Sequence, residues 1–304
     1  VLDPRHVLRN AGLSPKKSFG QNFLVAEKVA EAIATACVPD DERGLAAVIE
    51  LGAGAGALTS LLLPRARRVV AVERDRDLVP VLRDAFAADV EAGRLDVLEG
   101  DAQAVAVAEL LGPRDASQAA GATRVLAGNL PYQITGRLLQ LAVVQAAELD
   151  RVVFMVQEEV ADRLVAAPAT KAYGALTVFV RAAFDVRLLR TVSRGCFFPS
   201  PDVTSAVIVL TPLRPPRAEE TDVFRAVVRA AFAMRRKTLR NAWAGLAPAD
   251  ALADAARAAD VSLDARGETL DVDAFARFAA ALEGQRGAPS SDASARAASA
   301  RSGD

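Results

Sequence analysis

The pentapeptide Gly128-Asn129-Leu130-Pro131-Tyr132 puts an amide, a rigid proline and an aromatic ring at the end of the apolar run Val125-Leu126-Ala127. Such a set suits chemistry on a planar amine. An exocyclic base amine is a poor nucleophile because its lone pair is delocalised into the ring. The side-chain oxygen of Asn129 and the carbonyl of Leu130 could accept its two N–H bonds and favour a pyramidal, attacking nitrogen, while Tyr132 stacks on the base. Pro131 stiffens the backbone between them, since proline locks its own φ and restricts the preceding residue to an extended conformation. The same residue types also make an ordinary strand-ending Asn-x-Pro turn. The surroundings decide between the two readings.

Those surroundings predict an open sheet. Buried-strand patterns cover residues 46–51, 69–72, 95–99, 124–129, 152–156, 185–190 and 206–210, and helical patterns alternate with most of them, including 25–37, 77–88, 134–147 and 174–182. Strands and helices alternating in this way predict a mostly parallel α/β sheet covered on both faces. In such sheets ligands bind at the carboxyl ends of the strands, which is where Asn129 falls.

Three further strand ends carry candidate ligand groups. Gly52-Ala53-Gly54-Ala55-Gly56 follows the first strand directly, and its glycines permit a tight turn and close backbone approach to a ligand. Glu73 closes the second strand about 20 positions after that turn, a spacing suited to gripping ribose hydroxyls. Asp101, in Gly100-Asp101-Ala102 after the third strand, could cap the next helix or accept from an adenine amine, and the two roles are compatible.

Before the sheet, Leu13 to Leu24 interleaves lysines, aromatics and amides. It reads either as an arm packed by Phe19, Phe23 and Leu24 or as a lid in which Asn22 offers hydrogen bonds and Lys16 and Lys17 meet phosphate. Late in the sheet, Phe197-Phe198-Pro199-Ser200-Pro201 forms a stiff loop. One of its phenylalanines plugs the core and the other could close over a base opposite Tyr132. Either Phe197 or Phe198 could be the closing ring.

The chain has 304 residues, 52% of them hydrophobic, a formal net charge of −1, one histidine (His6) and two cysteines (Cys37 and Cys196). That length suits one large and one small domain. No apolar run approaches a membrane span, and the cysteine usage together with the absence of a signal-like start predicts a cytoplasmic protein. The net charge does not announce a nucleic-acid binder, but Lys16-Lys17 and Arg235-Arg236-Lys237 with Arg240 are local basic clusters. The proline-rich stretch from Pro212 to Arg217 marks a boundary. Helical patterns follow at 223–232, 237–243, 248–259 and 272–282, and the Ala, Ser, Gly and Arg-rich tail is expected to be disordered. The predicted division is an arm at 1–24, a sheet domain at 25–211, a helical domain at 212–283 and a tail at 284–304.

In order along the chain, Phe-Gly-Gln-Asn-Phe-Leu at 19–24, Glu50-Leu51-Gly52-Ala53-Gly54, Glu73-Arg74-Asp75, Gly100-Asp101-Ala102, Asn129-Leu130-Pro131-Tyr132, Phe197-x-Pro199-x-Pro201 and Arg235-Arg236-Lys237-Thr238-Leu239 resemble the KsgA-type ribosomal RNA adenine dimethyltransferases. The resemblance implies a class I S-adenosylmethionine-dependent fold, Rossmann-like with a seven-stranded mostly parallel sheet, followed by a small all-helical domain. It implies cofactor contacts at Asn22, Leu24, Gly52, Gly54, Glu73, Asp101 and Asn129, catalytic roles for Asn129, Leu130, Pro131, Tyr132 and Phe197, and RNA contacts at Lys16, Lys17, Arg235, Arg236, Lys237 and Arg240. The substrate it implies is a pair of adjacent adenines in a loop near the 3′ end of small-subunit rRNA within an immature 30S subunit, each converted to N6,N6-dimethyladenine by a monomer with no metal. Thr204 stands where the family commonly has an acidic residue before the serine, and Pro15 alters the approach of Lys16 and Lys17.

Three rivals share parts of this pattern. Relatives that methylate a large-subunit rRNA adenine and confer macrolide resistance carry the same motifs. Non-catalytic assembly factors would be expected to lose parts of them. A nicotinamide-dependent dehydrogenase would use the glycine turn and Glu73 but leaves Asn129 to Tyr132 without a role.

Overall fold

The computed structural model describes residues 2–112, 114, 123–234 and 236–287. The chain forms two compact units: one built from residues up to Ala166 with Phe179–Pro216, the other from Ala167–Val178 with the chain from Arg217 onward.

The first unit holds a seven-stranded sheet of β1 (Ala47–Leu51), β2 (Arg68–Glu73), β3 (Leu95–Glu99), β4 (Arg124–Asn129), β5 (Arg151–Gln157), β6 (Phe184–Val192) and β7 (Ser205–Pro212), in the order β3-β2-β1-β4-β5-β7-β6. β1 to β5 pair in parallel, and β7 runs antiparallel to both β5 and β6. All five residues of β1 are buried, as a strand covered on both faces requires.

The strand order grows outward from β1 toward β2 on one side and toward β4 on the other, and the crevice of such a sheet opens where those directions part. Gly52 and Asn129 therefore end neighbouring strands. The two strand ends come unusually close, because a Cβ on Gly128 would sit 2.6 Å from the Leu51 carbonyl oxygen. Only glycine fits there.

Two local features differ from the sequence expectation. The predicted helix over 77–88 is two helices, Leu78–Ala85 and Ala87–Glu91, broken at Phe86, whose ring is buried in the core. The arm contains an unpredicted helix, Pro4–Asn10, started by Asp3 accepting from the Arg5 amide and by proline at the first helical position. Its Leu8 packs with Phe23, Ala55 and Leu78, a small satellite core that anchors the arm.

The second unit contains the helices Asp222–Ala233, Leu239–Trp243, Ala249–Ala259 and Val272–Gly287. Thr221 caps the first by accepting from the Phe224 amide at 3.1 Å. Trp243 stacks on Phe278 with ring centroids 3.9 Å apart and donates its indole N–H to the Val227 carbonyl at 2.9 Å. The segment Ala167–Val178, which the sequence placed within the sheet domain, groups with these helices, and its buried Tyr173 donates to the Leu270 carbonyl at 2.9 Å. The last helix runs to Gly287, so 284–287 are helical rather than tail. The disorder expected for 288–304 lies outside the described residues.

Candidate functional site

A cavity of about 200 Å³ opens at the carboxyl ends of β1 to β4. Among its lining residues are Asn22, Gly52, Gly54, Glu73, Asp101, Asn129, Leu130, Pro131 and Tyr132, so most of the predicted site converges there. Four strand ends and the arm meet at one place.

The glycine turn and Glu73 form one unit. Gly54 has φ +59°, which strains any side chain, and a Cβ there would crowd the Phe23 ring at 3.1 Å, so glycine is favoured on two counts. Its amide donates to Glu73 Oε2 at 2.7 Å, and the Asp75 amide donates to Glu73 Oε1 at 2.8 Å. Burial of this carboxyl pushes its pKa up, against the opposing effect of the backbone amides of Asp75, Gly54 and Arg74. Glu73 thus braces the turn, while the carboxylate's capacity for about four hydrogen bonds leaves room for a ligand donor. Asp101 accepts from the Gln103 amide at 2.9 Å and caps the turn Ala102–Ala104 while lining the cavity, so its structural role is realised and its ligand role stays compatible with it.

On the β4 side the amide of Asn129 is oriented by its nitrogen. Nδ2 donates to the Asn22 carbonyl at 2.9 Å, which leaves Oδ1 as the acceptor of a cavity-lining residue. The Leu130 amide donates to the Met155 carbonyl at 3.1 Å, and the leucine side chain is buried. The Tyr132 hydroxyl bonds the buried Ser205 Oγ at 2.7 Å, and burial raises its pKa. That bond fixes the ring by its far end.

The arm is latched over this site. Lys16 Nζ lies 2.5 Å from Asp75 Oδ1 and 2.6 Å from Asp77 Oδ2, and Gln21 Nε2 donates to Asp75 Oδ2 at 2.8 Å. Burial of Asp75 acts to raise its pKa, but the hydrogen bonds from Lys16 and Gln21 prevail and hold the carboxyl below its ordinary range. Lys16 is therefore a strut of the arm and not a free cation for RNA, as the sequence reading had it. The Phe19 ring, also lining the cavity, has Lys16 Nζ at 5.6 Å and the Arg74 guanidinium at 5.4 Å from its centroid.

Two other assignments change. Phe197, predicted to close over a base, is 5% exposed and packs in the core with Leu24, Val192 and Val207. The cause is a two-residue ladder in which Phe23–Leu24 pairs with Phe197–Phe198, turning Phe197 inward and leaving Phe198 at 39% exposure. The side chain of Leu24 is buried in the same core and borders a separate, smaller hollow beside Glu50. Of the late basic cluster, Arg235 lies outside the described residues, Arg236 and Lys237 are exposed, and Arg240 makes an exposed pair with Asp264 at 3.2 Å. Lys17 is exposed.

Sequence reasoning missed Ser205, the bracing roles of Asp75 and Gln21, and Glu50. Glu50 is 2% exposed, accepts from Thr59 Oγ1 at 2.6 Å, and burial pushes its pKa up to about 8. Asp75 and Glu50 stand in the motifs that flank Glu73 and the glycine turn, but nothing local signals which distant group each one meets. Among the described residues no group of His, Cys, Asp and Glu could hold a metal ion, and no helix is long and apolar enough to cross a membrane.

Comparison with known proteins agrees with this geometry. The family described as ribosomal RNA adenine dimethylase matches residues 12–282. A ribosomal RNA small subunit methyltransferase A from Anaeromyxobacter sp. (strain K) is 45% identical over 273 residues, covering 88% of this chain and 93% of that protein. One of the same name from Geobacter metallireducens is 40% identical over 283 residues, covering 90% and 98%. Among solved structures, a dimethyladenosine transferase from Plasmodium falciparum superposes with a TM-score of 0.69 at 24% identity, covering 84% of this chain and 95% of that one. The 23S rRNA methyltransferase ErmE gives 0.62 at 24% identity, covering 86% and 100%. These two likenesses carry the fold, a class I methyltransferase sheet, and the sequence relatives carry the family. The chain belongs to the ribosomal RNA adenine dimethylases.

Proposed function

We propose that this chain transfers methyl groups from S-adenosylmethionine to N6 of two adjacent adenines in a loop near the 3′ end of small-subunit rRNA, acting as a cytoplasmic monomer on an immature subunit. The observation that carries the reading is the Asn129 amide at the cavity, whose nitrogen donates to the Asn22 carbonyl and whose oxygen takes no hydrogen bond among the described residues. A planar amine is the group such an acceptor, together with the Leu130 carbonyl, would meet and polarise.

The cavity suits the cofactor. The Gly52–Gly54 turn permits close approach of a methionine-like chain, the spare lone pairs of Glu73 suit ribose hydroxyls, and Asp101 suits an adenine amine. The cofactor supplies an electrophilic methyl group on sulfur. The protein's work is positioning: a target base taken out of its stack would rest on the Tyr132 ring, anchored through Ser205, with its amine on Asn129 and Leu130. Positioning alone supplies a large acceleration when reacting atoms are held at ~3 to 3.5 Å. The exposed Arg236, Lys237 and Lys17 suit phosphate contacts.

The test is transfer of labelled methyl to purified small subunits that lack the modification, with large subunits alongside. Label in dimethyladenine of the small-subunit RNA is the expected result. Label in large-subunit RNA alone, or binding of NAD in preference to S-adenosylmethionine, would overturn the reading.

A further inference from the structure

Among the described residues the sheet ends at β6, which has β7 as its only neighbour. From Phe184 to Phe198 the chain carries Arg187, Arg190 and Arg194 against a single acid, Asp185. Arg187 and Arg190 are exposed, and among the described residues neither takes part in an ion pair. Arg194 is exposed as well; its guanidinium donates to the backbone carbonyl of Asp202 at 3.2 Å, and among the described residues it pairs with no carboxylate.

The strand is bent so that the first two act together. Residues three apart on a regular strand point to opposite faces. Here the register shifts between Leu188 and Arg190, and the extra residue, Leu189, packs against the core. Arg187 pairs with Val209 and Arg190 with Val207, so the bulge returns both guanidiniums to one face. Val192, next along that face, is level with Ser205, whose hydroxyl holds the Tyr132 ring at the cavity. Arg190 and Arg187 thus stand about 7 and about 14 Å along the strand direction from the level of Ser205. Asp185 sits beyond them at the far end, paired with Thr211.

We propose that this face of β6 is a track for the RNA phosphate backbone, in which Arg187 and Arg190 hold the strand that flanks the base presented to Tyr132. The proposal rests on the RNA reading above and extends it to a surface outside the cavity and outside the basic cluster near Arg236. Charge on an edge strand also discourages sheet-to-sheet pairing, but that purpose needs no alignment on one face and is served equally by acidic residues. Guanidiniums on one face, leading toward a base-sized cavity, complement a polyanion. Arginine is suited to phosphate through its paired donors.

The experiment measures binding to small subunits lacking the methyl groups, across a range of salt, for the wild-type chain and three double variants: Arg187→Gln/Arg190→Gln, Arg187→Glu/Arg190→Glu and Arg187→Lys/Arg190→Lys. Two lost phosphate contacts should weaken binding by on the order of tenfold near 0.15 M salt. They should also make the plot of log affinity against log salt shallower by about 1.4 to 1.8. The glutamate pair should weaken it further, and the lysine pair should keep the wild-type salt slope. S-adenosylmethionine binding should be the same in all four. Equal affinity and equal slope in the wild-type and glutamine proteins would overturn the proposal, as would a wild-type chain that does not bind small subunits. A wild-type chain that binds them with the predicted salt slope but transfers no methyl would overturn the enzymatic reading and leave the track standing.

Discussion

The β2 and β4 sides of the cavity are held in contrasting ways. On the β2 side Glu73 has both oxygens bound by backbone amides, those of Gly54 and Asp75, and Asp75 in turn takes Lys16 and Gln21 from the arm. On the β4 side the nitrogen of Asn129 is bound, while its oxygen takes no hydrogen bond among the described residues. The first side is a finished scaffold before any ligand arrives. The second leaves one acceptor at the cavity, which the proposed function gives to the substrate amine. Groups that brace a site contribute to binding and stability, whereas a group satisfied only by the reacting amine contributes to rate.

The largest effect should come from breaking the β4 side. Asn129→Ala is expected to lower kcat by roughly 10²- to 10³-fold, the range seen when one preorganised polar partner of a reacting centre is removed. The melting temperature should stay near that of the wild type. Steady-state methyl transfer read beside thermal unfolding checks this, and a variant that loses stability but not rate would reverse the assignment.

Glu73→Ala should act mainly on the other side. Removing the common acceptor of two amides costs about 1 to 3 kcal/mol, so affinity for S-adenosylmethionine is expected to fall by about 10- to 100-fold, with a lower melting temperature. Titration calorimetry separates this from a rate effect. A normal cofactor affinity would show that the turn keeps its shape unaided.

Glu50, behind the glycine turn, sharpens the comparison through pH. Its carboxyl has an ordinary value of 4.5 and is pushed up to about 8 by burial. Between those two values the unfolded chain has released this proton and the folded chain still holds it, so the folded state loses stability as pH rises through that window, and the loss levels off above about 8. Glu50→Gln keeps an acceptor for Thr59 without the titration. Its melting temperature should therefore gain on that of the wild type from pH 4.5 to 8, and parallel curves would contradict the burial of a protonated acid.

The smallest effect is expected at the arm. Asp75→Asn removes one of the two charge partners of a lysine that solvent screens, so only a small loss of stability is expected. Limited proteolysis should cut earlier within 13–22. An unchanged cleavage rate would mean that the satellite core around Leu8 and Phe23 holds the arm by itself.

These elements also mark what the sequence can and cannot show. The glycine turn, Glu73 and the Asn129 pentapeptide were legible because each is a local strand-to-turn signal, and alternating strand and helix patterns were enough for the sheet. The fate of Lys16 was not legible, since its partner Asp75 is 59 residues away and only the fold brings them together. Phe197 and Phe198 are adjacent and identical in type. Their opposite burial follows from pairing with Phe23–Leu24, a ladder too short to leave a period. The break at Phe86 and the grouping of Ala167–Val178 with the later helices depend likewise on tertiary packing that overrides local pattern.

The most direct test of the central claim is a crystal structure of the chain with S-adenosylhomocysteine and an RNA fragment carrying the target adenosine. The account predicts the adenine N6 within about 2.7 to 3.2 Å of Asn129 Oδ1, the base against Tyr132 and the cofactor beside Glu73. A cofactor lodged elsewhere, or an Asn129 oxygen turned away from the base, would contradict it.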